Sequence, residues 1–212
     1  KELYNSLTRP LHYFPTIESR LEMLRSHIEH GYHPFILSAS PHFYEDAMRD
    51  WLYQHKIFNA GLFLKDYRKV FTPFDSLLTP KDLKVQGMYK LNHLLDIILM
   101  TGIPHELILM GDNYESDPLI YVAFGCMLRN EVDAWNLWNK IRKLEAFQLN
   151  RKQNAQFLNK IYQVSNMCKK WFTSTQLKVQ LKICIRKRFP SDTLQLPEQF
   201  HRWSSWIELY DP

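Results

Sequence analysis

Two carboxylates five residues apart, Asp112 and Asp117, follow directly on an apolar run and a glycine, in the stretch Leu107-Ile108-Leu109-Met110-Gly111-Asp112. Hard oxygen donors so placed suit Mg²⁺, an ion held by a few carboxylates, waters and phosphate oxygens. Upstream, Ser38-Ala39-Ser40-Pro41 closes a second apolar run, and a hydroxyl there can hydrogen-bond a phosphoryl oxygen. Lys90 brings a point charge with three donors, a group suited to phosphate. Each feature also has a plain reading. The carboxylates fit a polar turn and a helix cap, Ser38 fits a strand-to-helix cap, and Lys90 fits a solvated helix position.

The elements that must hold these residues are readable from periodicity. Leu107 to Met110, bounded by Pro104 and Gly111, predicts a buried strand of a parallel sheet. Asp117-Pro118 predicts a helix start, with Asp117 as N-cap, Pro118 at the first helical position and the helix running from Leu119 to Leu128. Ile17, Leu21, Leu24 and Ile28 have helical spacing after Pro15-Thr16, closed by Gly31. Phe35-Ile36-Leu37 and Gly61 to Asp66 read as short strands, and Phe43 to Gln54 as a helix between them. Residues 71–87, with Pro73, Pro80 and Gly87, read as a loop, and Lys90 is expected to open the next helix.

From Asp133 to Phe172 the chain lacks Gly and Pro, which predicts two helices or one broken near Asn150. Val179, Leu181, Ile183 and Ile185 alternate with Lys178, Gln180, Lys182 and Arg186, a strand pattern. The segment from Leu194 to Pro212, with Trp203, Trp206 and Tyr210, is expected to pack back on the body. Alternating helices and strands argue for an α/β fold with a doubly wound parallel sheet. Open sheets of that kind bind ligands at the carboxyl ends of their strands, where Ser38, Asp112 and Asp117 fall.

Composition narrows the classes. With 212 residues and 45% hydrophobic residues, a single globular domain over 1–212 is expected. The charge of +5 and pI of about 9.0 fit an anionic substrate or surface. Cys126, Cys168 and Cys184 form no CxxC pair, which argues against a zinc site or disulfide framework and for a reducing, cytoplasmic setting. No apolar run approaches the roughly 18 residues of a membrane span. Lys1 is not an initiator methionine, so a longer product is expected.

Taken together, these motifs resemble the haloacid dehalogenase (HAD) superfamily of phosphotransferases, most closely the catalytic domain of the actin-patch phosphatidate phosphatase family. The resemblance rests on Ser38-Ala39-Ser40-Pro41, the Gly61 to Asp66 strand, Lys90-Leu91, and Gly111-Asp112-Asn113 through Asp117-Pro118 with Tyr121. Ile183 to Arg186 looks like the family's last strand. It implies a Rossmann-like HAD sheet, here with a helical insertion over 130–177 expected from the chain's own pattern, and Mg²⁺-dependent hydrolysis of a phosphomonoester through an aspartyl-phosphate. Ser38, Ala39, Ser40, Lys65 and Lys90 would then face the substrate phosphate, with Ser38, Lys90 and Asp112 catalytic and Asp112 and Asp117 serving the metal. The chain departs from the family in two respects: no Asp precedes Asp46, so the nucleophile of a DxD motif upstream of Ser38 is not among these residues, and a helical block from Asn130 to Phe172 stands where the family passes more directly into its last strand.

No cap-sized insertion separates Ser38 from Lys90, which favours a phosphorylated lipid or protein over a small metabolite; phosphotyrosyl and other phosphoprotein substrates stay open. A catalytically inactive HAD-like binding module is the alternative. Residues 133–172, with Arg142, Lys143, Arg151, Lys152, Lys169 and Lys170 beside Trp171-Phe172, are expected either to be a packed elaboration or to meet an anionic membrane peripherally. No nucleic-acid partner is expected.

Overall fold

The structure, a computed structural model, describes residues 17–58, 61–65, 86–113, 116–144, 147 and 151–211. The chain divides into two compact units, residues 1–77 and 78–212. Both are α/β, with parallel strands in open sheets.

In the first unit, helix α1 (Glu18–Glu29) leads to β1 (Phe35–Pro41), a single 3-10 turn, α2 (Glu45–Gln54) and β2 (Gly61–Lys65). The strands pair in parallel from Phe35↔Gly61 to Ser38↔Leu64, and the register then slips before Pro41↔Lys65. Leu21, Leu52 and Ile57 form the core, with Leu24, Ile28, Ile36 and Trp51 packed around it. Helix α1 stops as Gly31 adopts φ +88°, a left-handed conformation that glycine takes without strain. Asp66 and residues 71–85 of the expected loop lie outside the described residues.

The second unit runs α3 (Gln86–Thr101), β3 (Glu106–Asp112), α4 (Asp117–Leu128), α5 (Ala134–Ile141), α6 (Arg151–Thr175), β4 (Gln180–Arg186), a 3-10 segment (Glu198–Trp206) and β5 (Ile207–Tyr210). Its sheet has the order β3-β4-β5, all parallel and in register, from Glu106↔Gln180 to Asp112↔Arg186 and from Ile183↔Ile207 to Arg186↔Tyr210. Helix α4 is the centre of this unit. Past its N-terminal Asp117 its sequence carries no charge, and all its residues but Leu119 are buried, as expected of a helix that is hydrophobic all round. It packs on β3 and β4, and against α3, α5, α6 and the 3-10 segment. Gly125 makes that fit possible, because a Cβ there would run into Leu181 and the Trp206 ring.

Several boundaries differ from the sequence expectation. Helix α3 begins at Gln86 rather than Lys90, because Met88 is already buried with Leu91 and the packing overrides the breaker signal of Gly87. The cap of α4 is Ser116, and Asp117 is the first helical residue; its side chain is engaged elsewhere. The alternation over 178–186 yields a strand from Gln180 to Arg186, with Lys182 exposed, but Cys184 is buried along with Ile183 and Ile185. The C-terminal segment does more than pack back: Ile207–Tyr210 adds a third strand. The break expected near Asn150 separates α5 from α6. Among the described residues, no helix is long and apolar enough to cross a membrane.

Candidate functional site

Site geometry in the second unit starts at Gly111, the penultimate residue of β3. A Cβ there would lie 2.5 Å from Asp117 Oδ2 and 2.8 Å from the Tyr121 ring. No side chain fits, so glycine lets the strand tip and the first turn of α4 approach this closely. The Tyr121 hydroxyl donates to the Met110 carbonyl at 2.9 Å, fixing the helix against the strand.

That approach brings two of the predicted residues to a third. Lys90 Nζ donates to Asp117 Oδ1 at 2.5 Å, and both residues are buried, at 7% and 3% exposure. The Asp112 N–H makes a longer contact, 3.4 Å, with Asp117 Oδ2. Asp117 therefore spends one oxygen on the ammonium and turns the other to the strand tip. It also stands at the positive end of the α4 dipole, which favours a carboxylate. Asp112, half-buried, ends β3 beside it.

The tip is tied down on its other side. Asn113 N–H donates to the Arg186 carbonyl at 2.9 Å, and Asn113 Nδ2 to the Thr193 carbonyl at 3.0 Å. Asp192 Oδ2 accepts from the backbone N–H of Arg188 and of Phe189, each at 2.9 Å. The loop after β4 is thus fastened to the end of β3.

Ser38, Ala39, Ser40 and Lys65 belong to the first unit. Ser38 Oγ accepts the Ser40 N–H at 3.1 Å and donates to Ser40 Oγ at 3.0 Å, a tight turn where the β1–β2 register slips. This is the cap-like use expected of a serine at a strand end. Ala39 lies within β1, and Lys65 ends β2.

A cation would have to share Asp117 with the Lys90 ammonium, whereas Asp112 ends the strand in a half-buried position. Among the described residues, no three or more His, Cys, Asp or Glu side chains converge as a metal cluster. Mg²⁺ needs no such cage, since one or two carboxylates with waters and a phosphate suffice. The oxygen donor of Asp112 fits that chemistry, and Asp117 fits the role of anchor for Lys90. Sequence reasoning missed Arg186 as the strand-tip neighbour of Asp112 and Asn113 as the link to both. The alternation ending at Arg186 was the available signal.

The three cysteines are buried and unpaired with each other, and burial pushes the Cys126 and Cys168 thiols up to about 12. Compared with family models, characterised proteins and solved structures, the chain matches none.

Proposed function

We propose that the chain is a Mg²⁺-dependent phosphomonoester hydrolase of the HAD type, acting on a lipid or protein phosphate. The observation that carries this reading is the buried Lys90–Asp117 pair at the carboxyl end of β3, beside Asp112. Burying two charges costs several kcal/mol per ion, and such pairs often stabilise a fold less than apolar residues would. A pair kept at a strand tip where open sheets bind ligands is better accounted for by chemistry.

In this reading Asp117 holds the Lys90 ammonium in one position, and Lys90 neutralises negative charge on the transferred phosphoryl group. Asp112 would hold the metal. When bound, Mg²⁺ offsets repulsion between the attacking group and the phosphate. The aspartyl-phosphate route needs a further aspartate as nucleophile, and among residues 1–212 no Asp precedes Asp46. The second reading is a non-catalytic module built on the same scaffold.

Hydrolysis of an aryl phosphate by the full-length protein separates the two. The enzyme reading expects turnover that EDTA abolishes and that Asp112→Asn lowers by about a hundredfold or more. EDTA-resistant turnover, or full activity in the variant, counts against it.

The same reading places an anionic membrane surface at the helical arm. Helix α6 carries Arg151, Lys152, Lys160, Lys169 and Lys170 and no acidic residue. Lys169 and Lys170 are exposed, as is Phe172. Trp138 packs inward, while Trp171 is half-buried, edge-on to His105. Flotation with phosphatidylserine vesicles is expected to fall with salt and with joint replacement of Lys169, Lys170 and Trp171, each basic residue contributing about 1 kcal/mol. Equal recovery on neutral vesicles would leave the arm purely structural.

A further inference from the structure

We propose that Arg186 is the anion-holding group of the β3 tip, clamping the phosphate of a phosphomonoester or its inorganic phosphate product; the assignment rests on the phosphatase reading above. Arg186 ends β4 as the in-register neighbour of Asp112. Residues paired in register on parallel strands face the same side of the sheet, on strands about 4.8 Å apart. The guanidinium therefore emerges on the same face as Asp112, at the same carboxyl edge.

Its electrostatic surroundings set it apart from the other cations nearby. Lys182, two residues earlier on β4, pairs with Glu208 at 3.1 Å, and Lys187 pairs with Asp211 at 3.2 Å. Tyr210, the register neighbour of Arg186 on β5, gives its hydroxyl to Glu208 at 2.5 Å. Glu208 and Asp211 are thus taken. Among the described residues the Arg186 guanidinium has neither a hydrogen bond nor an ion pair, although the residue is half-buried and Asp112 stands beside it. An arginine whose stem merely covers apolar surface would account for the burial. It would not require an unmatched guanidinium on a backbone held still, with the Arg186 carbonyl bonded to Asn113 and the following loop fastened by Asp192 and Thr193. A rigid, planar fork that pairs with no protein acid, though Asp112 is its neighbour, matches two phosphate oxygens at once.

Binding of inorganic phosphate to the full-length protein, followed by calorimetry and checked as product inhibition of aryl phosphate hydrolysis, tests this. Arg186→Met is expected to weaken phosphate by about tenfold or more and to raise KM in parallel. Arg186→Lys keeps the charge without the fork and is expected to fall in between. Arg188→Met, which removes the same charge two residues on, is expected to stay within about twofold. Equal losses in the Arg186 and Arg188 variants, unchanged phosphate affinity in Arg186→Met, or no phosphate binding by the wild type would overturn the assignment. Should Arg186→Met unfold, Arg186→Lys against Arg188→Lys carries the comparison. Turnover that depends on Asp112 but ignores Arg186 defeats this assignment alone. Phosphate held by Arg186 in a protein without turnover defeats only the enzyme reading.

Discussion

Helix α3 contributes to two lysine–aspartate pairs of nearly equal length and different surroundings. Lys90 meets Asp117 at 2.5 Å with side-chain exposures of 9% and 5%, while Lys160 of α6 meets Asp96 at 2.6 Å with exposures of 29% and 30%. The second pair is an ordinary fastening between helices: Lys160 also donates to Asn92 at 2.9 Å, and water reaches the group. Partly exposed pairs of that kind contribute about 0–1 kcal/mol. The first pair is dry, and its charges have lost their solvent. The same two residue types thus form a partly exposed fastening in one place and a buried ion pair in the other, and burial sets the difference.

The largest effect should come from cutting each pair on the lysine side. Lys90→Met leaves the Asp117 carboxylate buried without its cation and is expected to cost about 3–5 kcal/mol in denaturant unfolding. Lys160→Met is expected to cost less than about 1 kcal/mol and to leave turnover unchanged. Similar losses for the two would erase the distinction.

A smaller effect should follow from Gly111→Ala, which puts a methyl group against the Asp117 carboxylate and the Tyr121 ring. The strand tip and α4 must then part, at a cost of about 1–3 kcal/mol, with a larger proportional loss of activity than of stability. A variant as stable and active as the wild type would show that the close approach is dispensable.

The smallest effect is a pH dependence on the exposed side of the comparison. His93, beside Tyr89 on α3, has its pKa lowered from 6.5, chiefly by burial; Asp96 opposes the shift and Lys160 adds to it. The unfolded chain therefore binds this proton more readily than the folded one. Stability is expected to fall as pH drops below about 6.5 and to level off below the folded-state value. His93→Gln should flatten this limb in urea titrations at pH 5 to 7; an unchanged limb would assign it to other groups.

The β3 tip was legible in sequence because its parts are local. An apolar run, a glycine and two aspartates within eleven residues announce a strand, a turn and a helix start. What Asp117 does was not legible, since its partner Lys90 lies 27 residues away and only tertiary packing joins them. Taken alone, Asp117 reads as a cap and Lys90 as a solvated helix lysine, and packing changes both. The start of α3 was misjudged for the same reason, a buried Met88 outweighing Gly87. Strand β5 escaped notice because four residues after an aromatic run carry little periodicity, and β4 has to be in place before they can pair. The division at residues 77 and 78 left no compositional mark beyond the prolines around it.

The central claim is that the buried pair is kept for chemistry, and the double variant Lys90→Met/Asp117→Leu tests it most directly. Replacing both charges by apolar groups should restore most of the stability that Lys90→Met loses. Aryl phosphate hydrolysis with Mg²⁺, measured on folded double variant beside wild type, is then the decisive reading. The account predicts turnover by the wild type and a loss of about a hundredfold or more in the stable double variant. A wild type without turnover, or a double variant that keeps it, would contradict the account.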